Sequence, residues 1–253
     1  MARRVAYLSE EAIERDAELL LAGFAARRGV VIKAPVPIDD IVEKFLKLGI
    51  EFDDLHRHFD VPRRSGDTPD ILGAILLDER KILIDESLDP DRNPASEGRY
   101  RFTLAHEGCG HWRLHRDQFL SQSGQASLFG DPPSPTVICR SSQERERIEW
   151  QADFYAACVL MPRKLIHEAW NETFPDGGPR VLPLGVPAVP PYVELRRIEW
   201  GIADSNWSET DAQMLDRVAK PLAKRFLVST SAMRIRLEHL GLLHSQMPLQ
   251  HAW

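Results

Sequence analysis

Apolar residues recur at helical spacing near the start of the chain. Ser9 can cap a helix, two glutamates follow it, and the apolar repeat continues as far as Gly29. A second amphipathic stretch begins at Pro37 and stops at Gly49. Both stretches are predicted to be helices that pack one face on a core. Their inward positions are Ile13, Ala17, Leu20 and Phe24 in the first helix and Ile41, Val42, Phe45 and Leu48 in the second.

The pattern then changes to short β-prone runs. A strand is predicted over residues 50–52, and the runs Ile71–Leu77 and Lys81–Asp85 are joined by three polar residues, as in a hairpin. A further strand is predicted over Thr136–Cys139. The combination predicts an α+β fold with a small, mostly antiparallel sheet. Helical spacing returns after Asn93, after Ser141 and between residues 209 and 243.

Composition and charge restrict the classes of function that we expect for this protein. The net charge of -6 gives no global attraction to nucleic acid, so such contact would need a local basic patch. The sequence has neither an apolar run of about 18 residues that could span a membrane nor an apolar segment typical of a signal peptide. Cys109, Cys139 and Cys158 lack a C-x-x-C spacing and are expected to be buried, inert thiols. We therefore expect a cytoplasmic protein without membrane contacts.

Prolines and glycines divide the chain. They are dense between Asn171 and Tyr192, which is typical of a linker or of an arm that wraps around a domain. We predict a first domain over residues 1–170, a linker or arm over 171–208, and a helical subdomain over 209–253.

The segment from His106 to His111 carries the main candidate chemistry. In the motif H-E-x-x-H, four residues advance an α-helix by about 400°, so both imidazoles face one metal. Here five residues separate the histidines, and an advance of about 500° would turn them apart. A π-type turn accommodates one additional residue, and Gly108 and Gly110 would tolerate it. We therefore predict a π distortion at residues 108–110, with both histidines as zinc ligands and Glu107 as general base.

A second arrangement stays open. Glu107, His111 and His115 are spaced four and four, so they would share one face of an undistorted helix. That set could bind a metal with His115 in place of His106. It would leave no general base in the expected position.

A catalytic zinc site needs a third protein ligand and an open position. Glu149 and Asp153 lie four residues apart on one predicted helix face. Glu149 is the candidate ligand, and Asp153 is the candidate partner for the second nitrogen of a ligand histidine.

Three runs of this sequence resemble a known family. They are R-F-T-L-A-H-E at residues 101–107, E-W-Q-A-D at residues 149–153 and A-A-C-V-L-M-P at residues 156–162. Together they are similar to the ImmA/IrrE family of metallo-endopeptidases, and the resemblance runs from about Tyr7 to Pro162. The family normally has H-E-x-x-H, so the additional residue is a departure of this chain.

The resemblance implies a zincin-like fold and a zinc ion bound by the two motif histidines and a downstream acidic residue. It also implies cleavage of a protein partner in the cytoplasm. Such partners are typically DNA-binding repressors in stress responses or in the control of mobile elements.

The C-terminal part suggests a rival function. Residues 221–237 resemble a helix-turn-helix, with Ser229 or Thr230 capping a second helix that bears Arg234 and Arg236. Because the chain is acidic overall, we favour a subdomain that completes the protease or docks a protein partner over direct DNA binding. Three hypotheses result: a zinc endopeptidase, which we prefer, a DNA-binding regulator with a non-catalytic zinc site, and a partner-binding pseudopeptidase.

Overall fold

The computed structural model describes residues 7–61, 71–120, 136–140, 147–183 and 211–246 of the chain. The predicted helix start at Ser141 and residues 184–208 of the predicted linker or arm lie outside these ranges. Within them, no helix combines the length and the apolar character needed to cross a bilayer.

The chain divides into two compact units. The first contains Met1–Ile166 and Arg225–Ser229, and the second contains His167–Lys224 and Thr230–Trp253. The division into a domain, a linker and a helical subdomain stays a prediction.

A four-stranded sheet forms the centre of the first unit, in the order β1-β3-β2-β4. Strand β3 runs parallel to β1 and antiparallel to β2, and β2 runs antiparallel to β4. The apolar side chains of β2 and β3 are buried, except that of Leu72, which is half-buried, as expected for the middle strands of a covered sheet. The predicted α+β class with a mostly antiparallel sheet is confirmed. The strands are β1 (Gly49–Asp53), β2 (Ile71–Leu76), β3 (Lys81–Asp85) and β4 (Thr136–Arg140).

Helix α1 (Glu10–Arg28) begins and ends where the sequence predicts. The Ser9 hydroxyl accepts a hydrogen bond from the backbone N–H of Ala12 at 3.3 Å. Gly29 ends the helix in the left-handed conformation, with φ of 64°. The four predicted inward positions are all buried.

The second predicted helix is shorter than its apolar pattern suggests. It comprises the π-helical segment α2 (Asp40–Phe45), and Lys47 then takes a positive φ of 62° that turns the chain. Gly49 therefore starts strand β1 instead of ending a helix. A short helix, α3 (Leu55–His58), follows β1 and places the His56 side chain in the interior.

The helix that carries the motif changes its hydrogen-bond pattern at the first histidine. It begins as the 3₁₀ turn Pro94–Ser96 and continues as helix α4 (Glu97–Ala105). From His106 to His115 the backbone is π-helical, and residues 116–120 are α-helical again. We call His106–His115 the π segment. The predicted distortion is confirmed, and it extends over 10 residues.

Helix α5 (Arg147–Leu160) packs against the π segment at very short range. A Cβ atom on Gly110 would lie 2.7 Å from Cα of Ala152, and one on Gly108 would lie 2.9 Å from side-chain atoms of Val42 and Ile82. The two glycines therefore let the π segment approach α5 on one side, and α2 and the sheet on the other.

A polar cluster joins α1, the π segment and α5. Arg113 donates two hydrogen bonds of 2.9 Å to the carboxylate of Asp16, and the Tyr155 hydroxyl donates a third of 2.6 Å. Burial acts to raise the pKa of Asp16, but the hydrogen bonds from Arg113 and Tyr155 lower it overall. The charged form of Asp16 is thereby stabilised where the three elements meet.

The second unit contains helices and a two-stranded parallel sheet formed by β5 and β6. Strand β5 lies in the stretch that the sequence predicts to be a linker. Its helices and strands are the C-terminal part of α6 (Arg163–Thr173), β5 (Arg180–Pro183), most of α7 (Asp211–Phe226), α8 (Thr230–His239) and β6 (Leu243–Gln246).

Three residues join α7 to α8, and Leu227 among them has a positive φ of 52°. The arginines of α8 do not form the open basic surface that the helix-turn-helix interpretation needs. Arg236 is buried at 2% exposure, and Arg234 Nη1 lies 3.8 Å from Oδ1 of Asp216. The side chain of Arg234 is 25% exposed.

We expect Gly110→Ala to destabilise the protein, because the new methyl group would meet backbone atoms of Ala152 that cannot move independently. Overpacking of this kind typically costs about 1–3 kcal/mol of unfolding free energy, measurable by urea denaturation. Gly49→Ala is the matched control, because its Cβ would have its nearest neighbour at 3.9 Å. Equal losses in the two variants would contradict the close approach.

Candidate metal centre

Three side chains converge between the π segment and α5. His106 Nε2 lies 3.0 Å from His111 Nε2 and 3.2 Å from Glu149 Oε2, and His111 Nε2 lies 3.7 Å from the same oxygen. Among the described residues, these three form a group whose donor atoms all lie within 4.8 Å of one another. The structure thus brings together the three ligands predicted from the sequence.

The π geometry explains why a spacing of five residues is compatible with this cluster. In a π-helix the backbone hydrogen bond joins residues five positions apart, so the residue five positions later returns to the side of the first. His111 therefore stands beside His106, with the ring centroids 4.6 Å apart and the planes at 78°. In a regular α-helix the fourth residue would occupy that place.

The second nitrogen of each histidine has a partner on the outer side of the cluster. His106 Nδ1 lies 3.0 Å from Asp153 Oδ1, which is where the sequence placed the supporting carboxylate. His111 Nδ1 lies 3.1 Å from Nδ1 of His115. His115, considered above as an alternative ligand, therefore stands behind His111 and contacts the nitrogen that faces away from the cluster.

The cluster is closed on its histidine side and more open on its carboxylate side. The side chain of His111 is fully buried, that of His106 is 3% exposed, and that of Glu149 is 26% exposed. Burial lowers the pKa of His111 to about 4, against the raising effect of Glu149. This imidazole is thus neutral near pH 7, as a metal ligand must be.

Glu149 keeps its negative charge despite partial burial. Burial acts to raise its pKa, but contacts with the two histidines, above all the hydrogen bond from His106, lower it, so its pKa lies well below the ordinary value. The cluster therefore presents two imidazole nitrogens and one carboxylate.

Glu107 is fully buried, and neither of its carboxylate oxygens has a hydrogen-bond partner among the described residues. Burial is the main cause that raises its pKa to about 8, with Glu149 and Asp153 adding to the effect and His106 opposing it. Gly73 on β2 makes room for this side chain, because a Cβ there would lie 3.1 Å from Glu107 Oε1. A buried polar group without a partner is costly, and such groups are common at functional sites.

The donor set fits zinc. Two histidines and one glutamate are an established protein ligand set for catalytic zinc, which keeps a fourth position open. The carboxylate of Glu107, which follows His106 in the chain and has no hydrogen-bond partner among the described residues, adds a group that can take up and release a proton.

One residue of the centre was not singled out from the sequence. Gln151 is fully buried, and its Oε1 lies 2.9 Å from His115 Nε2. Glutamine is a common surface residue, and position 151 is offset from the face shared by Glu149 and Asp153. Its role becomes visible only when His115 is placed opposite it.

Comparisons with known proteins support the fold of this region. Residues 82–180 match the model of the peptidase M78 family, described as the IrrE N-terminal-like domain. The resemblance to the ImmA/IrrE family is therefore confirmed, and this part of the chain has the fold of a peptidase family. No curated protein sequence matches the chain.

Among solved structures, a Mycobacterium tuberculosis transcriptional regulator is similar, with 14% sequence identity and a TM-score of 0.41. The alignment covers 95% of this chain and 48% of that protein. The chain thus spans about half the length of this neighbour.

We expect Glu149→Ala to remove most bound zinc, because the variant loses one of three protein ligands. Asp153→Ala should weaken zinc binding only about 10- to 100-fold, the usual effect of losing a partner of a ligand histidine. Zinc affinity is measured by competition with a chelator, and Asp117→Ala, at an exposed carboxylate, is the control. Equal zinc affinity in wild type and Glu149→Ala would refute the ligand assignment.

We expect Glu107→Gln to stabilise the metal-free protein by an amount that grows with pH. The carboxyl group loses its proton near pH 4.5 in the unfolded chain but near pH 8 in the folded protein. Between these values the folded state binds more protons, so the unfolding free energy of wild type falls as pH rises. Glutamine cannot ionise and avoids this loss.

The gain should reach the order of a few kcal/mol at about pH 8 and vanish near pH 4.5, measured by urea denaturation with a chelator present. A difference between Glu107→Gln and wild type that is constant over this range would contradict a buried, protonated Glu107.

Proposed function

We propose that the protein is a zinc-dependent endopeptidase that hydrolyses a peptide bond in a protein partner. The observation that carries this proposal is the convergence of His106, His111 and Glu149 beside Glu107, which is buried and has no hydrogen-bond partner in the described part of the chain. The match of residues 82–180 to a peptidase family supports it.

The roles of the residues follow from their chemistry. A zinc ion held by His106, His111 and Glu149 would supply a Lewis acid that polarises the scissile carbonyl and acidifies water. Glu107 is the general base, which takes a proton from the attacking water and passes it to the leaving amine. Its raised pKa of about 8 in the metal-free protein suits proton transfer in both directions near neutral pH.

The partner that we propose is a DNA-binding repressor, and this step rests on the resemblance to the ImmA/IrrE family. Cleavage would remove repression during a stress response or in the circuit of a mobile element. Cys109 is a buried free thiol, which suits a reducing compartment, and we propose that the reaction takes place in the cytoplasm.

Direct DNA binding receives less support. A recognition helix needs basic side chains that can reach phosphates and bases. In α8, Arg236 is buried and Arg234 is directed toward Asp216. We therefore propose that the helical C-terminal part serves protein contacts instead of reading DNA.

We expect Glu107→Gln to retain zinc and to lose peptidase activity by about 10²- to 10⁴-fold, the usual contribution of a positioned general base. The substrate to test is a repressor encoded beside the gene, incubated with the zinc-loaded protein and analysed by mass spectrometry of the fragments. Zinc content is measured on the same samples.

Glu18→Gln is the matched control, because it makes the same substitution at an exposed position of α1. It should cleave as wild type does. Unchanged cleavage by Glu107→Gln would show that another group acts as the base. A wild-type protein that binds zinc but cleaves no neighbouring repressor would favour the regulator with a non-catalytic site.

A further inference from the structure

A chain of hydrogen bonds runs from the candidate ligand His111 to helix α5. His111 Nδ1 lies 3.1 Å from His115 Nδ1, and His115 Nε2 lies 2.9 Å from Gln151 Oε1. All three side chains are fully buried. The chain starts at the nitrogen of His111 that faces away from the three-ligand cluster.

The orientation of the Gln151 amide, whose Oε1 faces His115, sets the direction of every hydrogen bond in this chain. An amide oxygen can only accept, so His115 Nε2 must carry a proton and donate it to Gln151. A neutral imidazole has one N–H, so His115 Nδ1 then has a free lone pair and must accept. The donor to it is the N–H at Nδ1 of His111.

This order leaves His111 Nε2 without a proton. That atom lies 3.0 Å from His106 Nε2 and 3.7 Å from Glu149 Oε2, inside the cluster. If the amide of Gln151 were reversed, its N–H groups would face His115, and every donor in this chain of hydrogen bonds would become an acceptor. His111 would then carry its proton at Nε2, where a metal would have to bind.

We propose that Gln151 and His115 are positioning residues that fix His111 in the tautomer with a free lone pair at Nε2. The inference rests on the proposed function insofar as His111 is a zinc ligand, but the tautomer exists without the metal.

The two ligand histidines are thus oriented in different ways. His106 donates directly to a carboxylate, Asp153, which can only accept. His111 reaches its acceptor through a second imidazole. His115 is the last residue of the π segment, and its ring centroid lies 5.2 Å from that of His111.

The test is the tautomer of each histidine in the metal-free, ¹⁵N-labelled protein, read from long-range ¹H–¹⁵N NMR spectra. Wild type should show the proton of His111 on Nδ1 and that of His115 on Nε2. Gln151→Leu replaces the amide by an apolar side chain of similar size and so removes the acceptor, and it should mix or reverse both tautomers. Gln151→Glu supplies an acceptor oxygen again and should restore the wild-type pattern.

Zinc affinity gives a second readout on the same variants. Gln151→Leu should bind zinc about 10- to 100-fold more weakly, the usual loss when a partner of a ligand histidine is removed. Gln151→Glu should recover most of that affinity. His56→Gln is the matched control, because His56 is a buried histidine whose Nδ1 contacts the carbonyl oxygen of Val61 and not the cluster.

Wild-type tautomers and zinc affinity in Gln151→Leu would overturn the proposal. A loss in Gln151→Glu equal to that in Gln151→Leu would overturn it as well, because Gln151 would then matter only for packing. Failure of wild type to bind zinc would refute the proposed function but not this inference, which the tautomers of the metal-free protein decide separately.

Discussion

Every feature of the candidate centre depends on the hydrogen-bond register of one helical segment. Between His106 and His115 the backbone bonds residues five positions apart, and this brings the two histidines side by side. Such a segment is uncommon because its hydrogen bonds compete with the ordinary α-helical pattern. Here it is held from both sides, since Gly110 lies against Ala152 and Gly108 lies against Val42 and Ile82.

The sequence predicted the ligands and the distortion for a sound geometric reason. Five residues cannot bring His106 and His111 together in an α-helix, and that is a local property of the backbone. The length of the π segment was not predictable in the same way, because it depends on how closely α5 approaches. Gly108 and Gly110 were also only partly predictable. The sequence shows that they tolerate a distorted backbone, but it does not show which residues leave no room for a side chain there, because those residues are distant in the chain.

The polar contacts around the centre were partly predictable. Asp153 could be found because it lies four residues from Glu149 on the same helix face. Gln151 could not, since its contact with His115 joins two elements whose packing the sequence does not specify.

The length of the second helix was overestimated because an apolar repeat cannot reveal that Lys47 takes a positive φ and turns the chain. Strand β5 was missed because prolines and glycines surround it.

The π segment also has a consequence for how this part of the protein could change during evolution. Inserting one residue into an α-helix rotates everything after it by about 100°. A π-helical register can absorb one additional residue locally, and in this chain Arg113 contacts Asp16 and His115 contacts Gln151. A change of chain length between two ligands can therefore be inherited without rebuilding the contacts on either side. In such lineages, shared contacts are a better guide to common descent than the number of residues between two histidines.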